Sequence, residues 1–98
     1  MTNIENKYGV DYGMMDDSFC YVPPHMRDSF KLWIENGINA GSFGMAVLTN
    51  DLKEAIGRAD DINKEHLPSI VAWLYNYAPS DCWGSVENVE NWRKKARD

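Results

Sequence analysis

The stretch that decides the fold class is residues 67–77, LPSIVAWLYNY. Its apolar side chains recur every three or four positions, which is the spacing of one face of an α-helix: Leu67, Ile70, Val71, Leu74 and Tyr77. Pro68 suits a first helical turn, and Pro79 follows the last apolar position. The sequence therefore predicts its strongest helix from Leu67 to Tyr77.

Helices are also predicted nearer both ends of the chain. Apolar residues at helical spacing indicate one over about 24–35, and Gly37 is suited to end it in a left-handed conformation. A similar pattern covers about 86–96, with Ser85 as its N-cap. No segment has the pattern of a strand except, weakly, residues 19–22.

The region between the first and the strongest helix predicts two short helices. Residues 43–48 would be capped by Ser42, and residues 51–59 by Asn50. The buried face of the second short helix is predicted to consist of four residues: Leu52, Ala55, Ile56 and Ala59. Gly57 costs this helix about 1 kcal/mol relative to alanine, which predicts a close packing contact there or the approach of a ligand. The polar residues 60–66 are expected to form one loose helical turn.

The chain of 98 residues is predicted to be a single all-α domain. Residues 22–98 would form a small compact bundle of four or five short helices. Residues 1–21 are polar and show no sustained period, so we predict a flexible, extended N-terminal arm. Aromatic residues make up 12% of the chain and enlarge a core that is otherwise poor in aliphatic residues. Assembly into a homo-oligomer would further help so small a core.

Charge and hydropathy exclude two classes of function. A formal net charge of −5 argues against direct nucleic-acid binding, which needs a basic face to neutralise phosphates. No run of about 18 apolar residues is present, so no membrane-spanning segment is expected, and residues 1–15 lack the pattern of a secretory signal. Basic residues are concentrated at 93–98, and the rest of the chain is acidic. The favoured interpretation is that these cations stabilise the negative end of a C-terminal helix. The alternative interpretations of this uneven charge are head-to-tail contacts between copies and a DNA-mimicking surface.

The common signatures of catalytic and metal sites are missing from the sequence. Cys20 and Cys82 are too few for a disulfide framework, so both are predicted to be reduced thiols. Their spacing relative to His25 and His66 does not match a zinc site. No phosphate loop, dinucleotide fingerprint or nucleophile elbow is present. We therefore expect a protein that is not an enzyme and that holds neither a metal nor a cofactor.

Two groups of residues are candidates for a binding site. The first consists of residues that lie close together in the sequence: Asn50, Asp51, Glu54, Arg58 and Asp61. Glu54 and Arg58 are four positions apart and share one helix face, so Glu54 can position Arg58 to bind a phosphate or carboxylate. The alternative, which we favour, is that Arg58 is already used in an ion pair within its own helix.

The second group is the loop that contains Trp83 and Ser85. Trp83 lies off any helical stripe, among glycine, serine and aspartate residues. A tryptophan in such a loop either covers the core or contacts a partner, since tryptophan is a favoured interface residue. We favour the interpretation that Trp83 covers the core, because a small hydrophobic core needs large side chains to shield it from water.

Several motifs in order along the chain resemble a family of small proteins encoded by tailed phages and prophages. The motifs are GINAGSF (37–43), AVLTNDLKEA (46–55), GRAD (57–60), LPSIV (67–71), YNYAP (75–79) and CWGS (82–85). The similarity covers about residues 22–92. Family members often have proline at the position of Ala40, so the turn before Gly41 differs here.

The resemblance implies a biological setting and no active site. It implies an accessory protein in the host cytoplasm that binds a host protein or complex, for example a component of host defence. The leading hypothesis is therefore an interaction protein. The alternative is a protein that binds or sequesters a small nucleotide signal, with Arg58 on the phosphate and Trp83 stacked on the base. A DNA mimic is a third hypothesis.

Overall fold

The structure is a computed structural model that describes residues 6–98. This part of the chain contains five α-helices and no strand: α1 (Pro24–Asn36), α2 (Gly41–Leu48), α3 (Leu52–Arg58), α4 (Asp61–Tyr77) and α5 (Val86–Arg97). Single turns of 3-10 helix lie at Tyr12–Asp16 and Ser80–Cys82. The predicted all-α bundle of short helices is confirmed.

Tryptophans hold the centre of the bundle together. Trp33 of α1 and Trp73 of α4 are fully buried, and Trp92 of α5 is nearly so. A buried indole N–H needs an acceptor, and Nε1 of Trp33 donates to the carbonyl of Cys82 at 3.0 Å. Nε1 of Trp92 donates to the carbonyl of Ile34, also at 3.0 Å. These bonds fix α1 against the loop before α5 and against α5 itself.

The end of the first helix and the start of the last helix follow the sequence prediction. Gly37 ends α1 with φ 67°, and its N–H donates to the carbonyl of Trp33 at 2.9 Å. A Cβ at Gly37 would stand 3.0 Å from the carbonyl oxygen of Arg93, so α1 and α5 also approach closely there. Ser85 caps α5, its hydroxyl oxygen accepting from the N–H of Asn88 at 3.0 Å. Both predicted helix ends are therefore confirmed.

The predicted caps of α2 and α3 are wrong. Ser42 lies inside α2, which begins at Gly41 after Ala40 without a side-chain cap. Asn50 has φ 62° and makes the left-handed turn between the helices, a conformation that asparagine tolerates better than most residues. Asp51 is the N-cap of α3, and its Oδ1 accepts from the N–H of Glu54 at 3.2 Å. The capping side chain is thus one position later than predicted.

Helix α4 begins six residues earlier than predicted. Asp60 is its N-cap, with Oδ1 accepting from the N–H of Asn63 at 2.7 Å. Residues 61–66 are the first turns of the helix, and Pro68 lies inside it. The apolar pattern begins only at Leu67 because most side chains of the first turns are exposed. The helical character predicted for residues 60–66 is confirmed, but these residues are the start of α4 and not a separate loose turn.

Residues 6–21, assigned from the sequence to a flexible arm, pack against the helices. Val10, Met15 and Cys20 are buried in the common core. The carboxylate of Glu35, itself fully buried in α1, accepts from the backbone N–H of Lys7 at 2.6 Å and from the hydroxyl of Tyr12 at 2.5 Å. The domain supplies the partners that order this segment. Residues 1–5 of the predicted arm lie outside the described residues.

Candidate functional site

Helix α3 places most of its apolar residues outside the core. Ala55 is buried, with 2% of its surface exposed, whereas Leu52 is 69% exposed and Ile56 is 44% exposed. The predicted buried face is confirmed for Ala55 and in part for Ala59, which packs partly buried against the core, and it is wrong for Leu52 and Ile56. The reason is geometric, because the seven-residue α3 packs mainly on α2 and so turns a narrow strip of its surface inward.

An apolar groove opens beside Leu52. The groove is shallow, with a cavity volume of about 50 Å³. The groove is lined by residues from α2, α3, α4 and two loops: Ala46, Val47, Asn50, Asp51, Leu52, Ala55, Leu67, Val71 and Trp83. Most of these side chains are aliphatic or aromatic, so the groove suits apolar groups of a ligand or partner.

The wall formed by α2 and α3 depends on the turn between these helices. Asn50 reverses the chain with its positive φ, and the N–H of Asp51 then donates to the carbonyl of Ala46 at 2.8 Å. This bond folds α3 back beside α2. Val71 of α4, 36% exposed, lines the groove together with Leu52.

Backbone and side-chain hydrogen bonds fix the loop that carries Trp83. The N–H of Gly84 donates to the carbonyl of Leu48 at 2.7 Å. The side-chain amide of Asn88 donates to the carbonyl of Trp83 at 3.0 Å. Ser85 supports the same loop as the N-cap of α5. The half-buried Trp83 therefore both packs on the core and forms part of a groove whose walls are tied in place.

The predicted binding residues divide into two sets in the structure. Asn50, Asp51 and Trp83 line the groove, and Arg58 and Glu54 do not. Nε of Arg58 lies 3.4 Å from Oε1 of Glu54, with the two side chains 58% and 53% exposed. Arg58 is thus in the intramolecular ion pair that the sequence favoured. An exposed pair of this kind contributes little to stability.

The cysteines and histidines occupy separate environments. Cys82 is fully buried, and burial raises the pKa of its thiol to about 12. A thiol in that state is a poor nucleophile at neutral pH. Nε2 of His25 lies 3.1 Å from Oδ2 of Asp60, whereas His66 packs against the ring of Tyr21. Within residues 6–98, no three His, Cys, Asp or Glu side chains come together as a metal site.

The sequence did not predict a second, more polar depression at the start of the chain and α5. Its cavity volume is about 380 Å³, and its lining includes Tyr8, Asp81, Trp92 and Lys95. Nζ of Lys95 stands 4.8 Å from the centre of the Trp92 ring and 5.6 Å from that of Tyr8. The ammonium group therefore already covers the aromatic surfaces on which a flat ligand would stack.

Comparison with known proteins gave no match: no family model, no curated protein and no solved structure matches this chain. Among residues 6–98, no helix has the length and apolar character needed to cross a membrane. The groove is therefore interpreted from its own residues.

Proposed function

We propose that this chain is an interaction protein and that the groove between α2, α3 and α4 binds apolar side chains of a partner protein. The observation that carries the proposal is an apolar depression whose walls are held by hydrogen bonds while Leu52 and Val71 remain exposed. Exposed apolar side chains around a depression are typical of protein-binding surfaces. A groove with fixed walls loses little conformational entropy when it binds.

The charge at the groove indicates what else the partner carries. Asp51 is an exposed acidic residue of the lining, and the chain as a whole has a net charge of −5. A basic side chain beside the apolar ones would meet Asp51 favourably, and opposite net charges would speed association. We therefore propose a partner segment that combines apolar residues with a lysine or arginine.

The proposed setting is a phage accessory protein in the host cytoplasm. Its partner would be a host protein, of which a component of host defence is the specific case we propose. The support is the resemblance of the motifs over residues 22–92 to proteins of phages and prophages. Three of these motifs supply groove residues: Asp51 and Leu52 from the second, Val71 from the fourth and Trp83 from the last.

The nucleotide-binding alternative has weaker support. It needs a phosphate anchor beside an aromatic ring, and the residues proposed for those roles were Arg58 and Trp83. Arg58 lies outside the lining that contains Trp83, and its guanidinium is paired with Glu54. The groove lining contains no basic side chain. These positions favour an apolar protein segment over a phosphorylated ligand.

Affinity capture with three forms of the full chain tests the proposal. The wild type, Val71→Glu and the control Ile62→Glu are each used to capture proteins from bacterial cells, with quantification by mass spectrometry. Ile62 is 53% exposed on the same helix but lies outside the groove lining. We expect a protein that the wild type and Ile62→Glu retain and Val71→Glu loses. A protein retained equally by all three would place the binding surface elsewhere.

A further inference from the structure

The outer surface of α3 carries two lines of exposed residues. Leu52 and Ile56 are four positions apart and form one line, and Lys53 and Gly57 form the next line around the helix. All four residues are exposed. Isoleucine beside glycine gives this surface a projection next to a gap.

Gly57 has no explanation within the described fold. A Cβ built on it meets no atom within 4 Å, so no neighbouring helix requires a glycine there. The backbone does not require a glycine there either, because the φ angle of Gly57 is not positive. The predicted close crossing inside the fold is therefore wrong. A glycine that weakens a helix and meets open space suits the approach of a surface from another molecule.

We propose that α3 pairs in antiparallel orientation with α3 of a second copy of this chain, so that Ile56 of each copy packs over Gly57 of the other. A two-fold axis between positions 56 and 57 makes both contacts at once, as an isologous interface requires. The exposed projection and the exposed gap are then complementary. The pairing shares Leu52 with the groove of the proposed function, but Val71 and Trp83 are not part of it, so substitutions at Ile56 and Gly57 test the pairing separately.

Charge complementarity favours a second copy of the chain as the partner of the exposed α3 surface. Lys53 lies in the first turn of α3, and Asp61 follows the last turn. In an antiparallel pair, Lys53 of each copy lies beside the C-terminal end of α3 in the other copy. Asp61 follows that end in the sequence. The ion pairs found within residues 6–98 involve neither residue. Antiparallel alignment also places the helix dipoles in opposite directions, which is favourable.

The size of the helix determines how tightly the copies bind. Helix α3 has seven residues, and a pair of such helices buries less than the roughly 1,000 Å² that a stable interface requires. We therefore expect a reversible dimer whose population depends on protein concentration. Salt should weaken it, because the Lys53–Asp61 contacts are exposed.

Sedimentation equilibrium of the full chain over a wide concentration range tests the pairing. The wild type is expected to change from monomer to dimer as concentration rises. In Gly57→Gln the added side chain fills the gap that Ile56 needs, and the dissociation constant should rise by about tenfold or more. The same substitution should raise the melting temperature of the monomer, because glutamine favours a helix and meets open space at this position. A monomer at every concentration would overturn the proposal.

Two further variants test the surface and its orientation. Ile56→Ser should weaken the dimer, whereas Val86→Ser, at an apolar residue of α5 that is even more exposed to solvent, should not. Lys53→Glu should weaken it as well, and adding Asp61→Lys should restore part of the affinity. A dimer that Gly57→Gln and Ile56→Ser leave intact would show that the copies meet through another surface and would refute the pairing.

Discussion

The hydroxyl of Tyr12 is predicted to be one of the main stabilising groups of the N-terminal segment. It donates to Oε2 of Glu35 at 2.5 Å, and the N–H of Lys7 donates to Oε1 at 2.6 Å. Glu35 is fully buried, so these donors replace the water that its carboxylate would otherwise bind. Tyr12→Phe removes one donor and keeps the aromatic ring stacked on Trp73, whose centre lies 5.9 Å away.

The expected loss follows from this geometry. A hydrogen bond to a charged group contributes about 1.5–3 kcal/mol, and a buried carboxylate left with fewer donors adds a desolvation cost. We expect Tyr12→Phe to lower the free energy of unfolding by about 2 kcal/mol. For a domain of this size that corresponds to a fall in melting temperature on the order of 10 °C.

Urea unfolding followed by tryptophan fluorescence measures this loss. Tyr75→Phe is the matched control, because Tyr75 is largely exposed and should lose less than about 0.5 kcal/mol. Equal stability of the two variants would refute the reasoning and would show that the segment before α1 is held by other contacts.

Three further predictions concern other parts of the fold. Ser85→Ala removes the cap of α5 and should cost about 1 kcal/mol in chemical unfolding. Gly37→Ala should cost about 1–2 kcal/mol or more by thermal unfolding, because φ is 67° and the new Cβ meets the carbonyl of Arg93. The pKa of Cys82 rises from its ordinary value of 9.0 to about 12 in the fold. Between those values the unfolded chain loses the thiol proton while the folded chain keeps it, so stability falls as pH rises. Unfolding measured at several alkaline pH values should show a shallower fall in Cys82→Ala.

Elements with a strong local signal could be predicted from the sequence. The apolar stripe of α1 and the glycine at position 37 predict the bounds of that helix to within one residue, and Ser85 predicts where α5 begins. The early turns of α4 could not be predicted in this way, because mostly exposed side chains carry no apolar period. Asn50 and Asp51 are both common N-caps, so the sequence could not decide which one makes the turn and which one caps α3.

The candidate site could be predicted only in part. Asn50, Asp51 and Trp83 were chosen because of their residue types and loop positions, and they do line one groove. The groove itself arises from packing, since Leu52 and Val71 carry the apolar signal of a core yet remain exposed. The packing of residues 6–21 against the helices also depends on the fold and could not be predicted from local sequence. Their partners, such as Glu35, are distant in sequence and become neighbours only in the fold.

The proposed binding of a partner through the groove can be tested most directly by site-specific photocrosslinking. The photoreactive residue p-benzoylphenylalanine is placed at position 71 or at position 62 of the full chain, and the chain is irradiated in bacterial cells. We predict that position 71 crosslinks to one protein that position 62 does not reach, and that free Val71→Glu fails to bind this protein after purification. Crosslinks of equal yield at both positions, or at position 62 alone, would contradict the assignment of the groove.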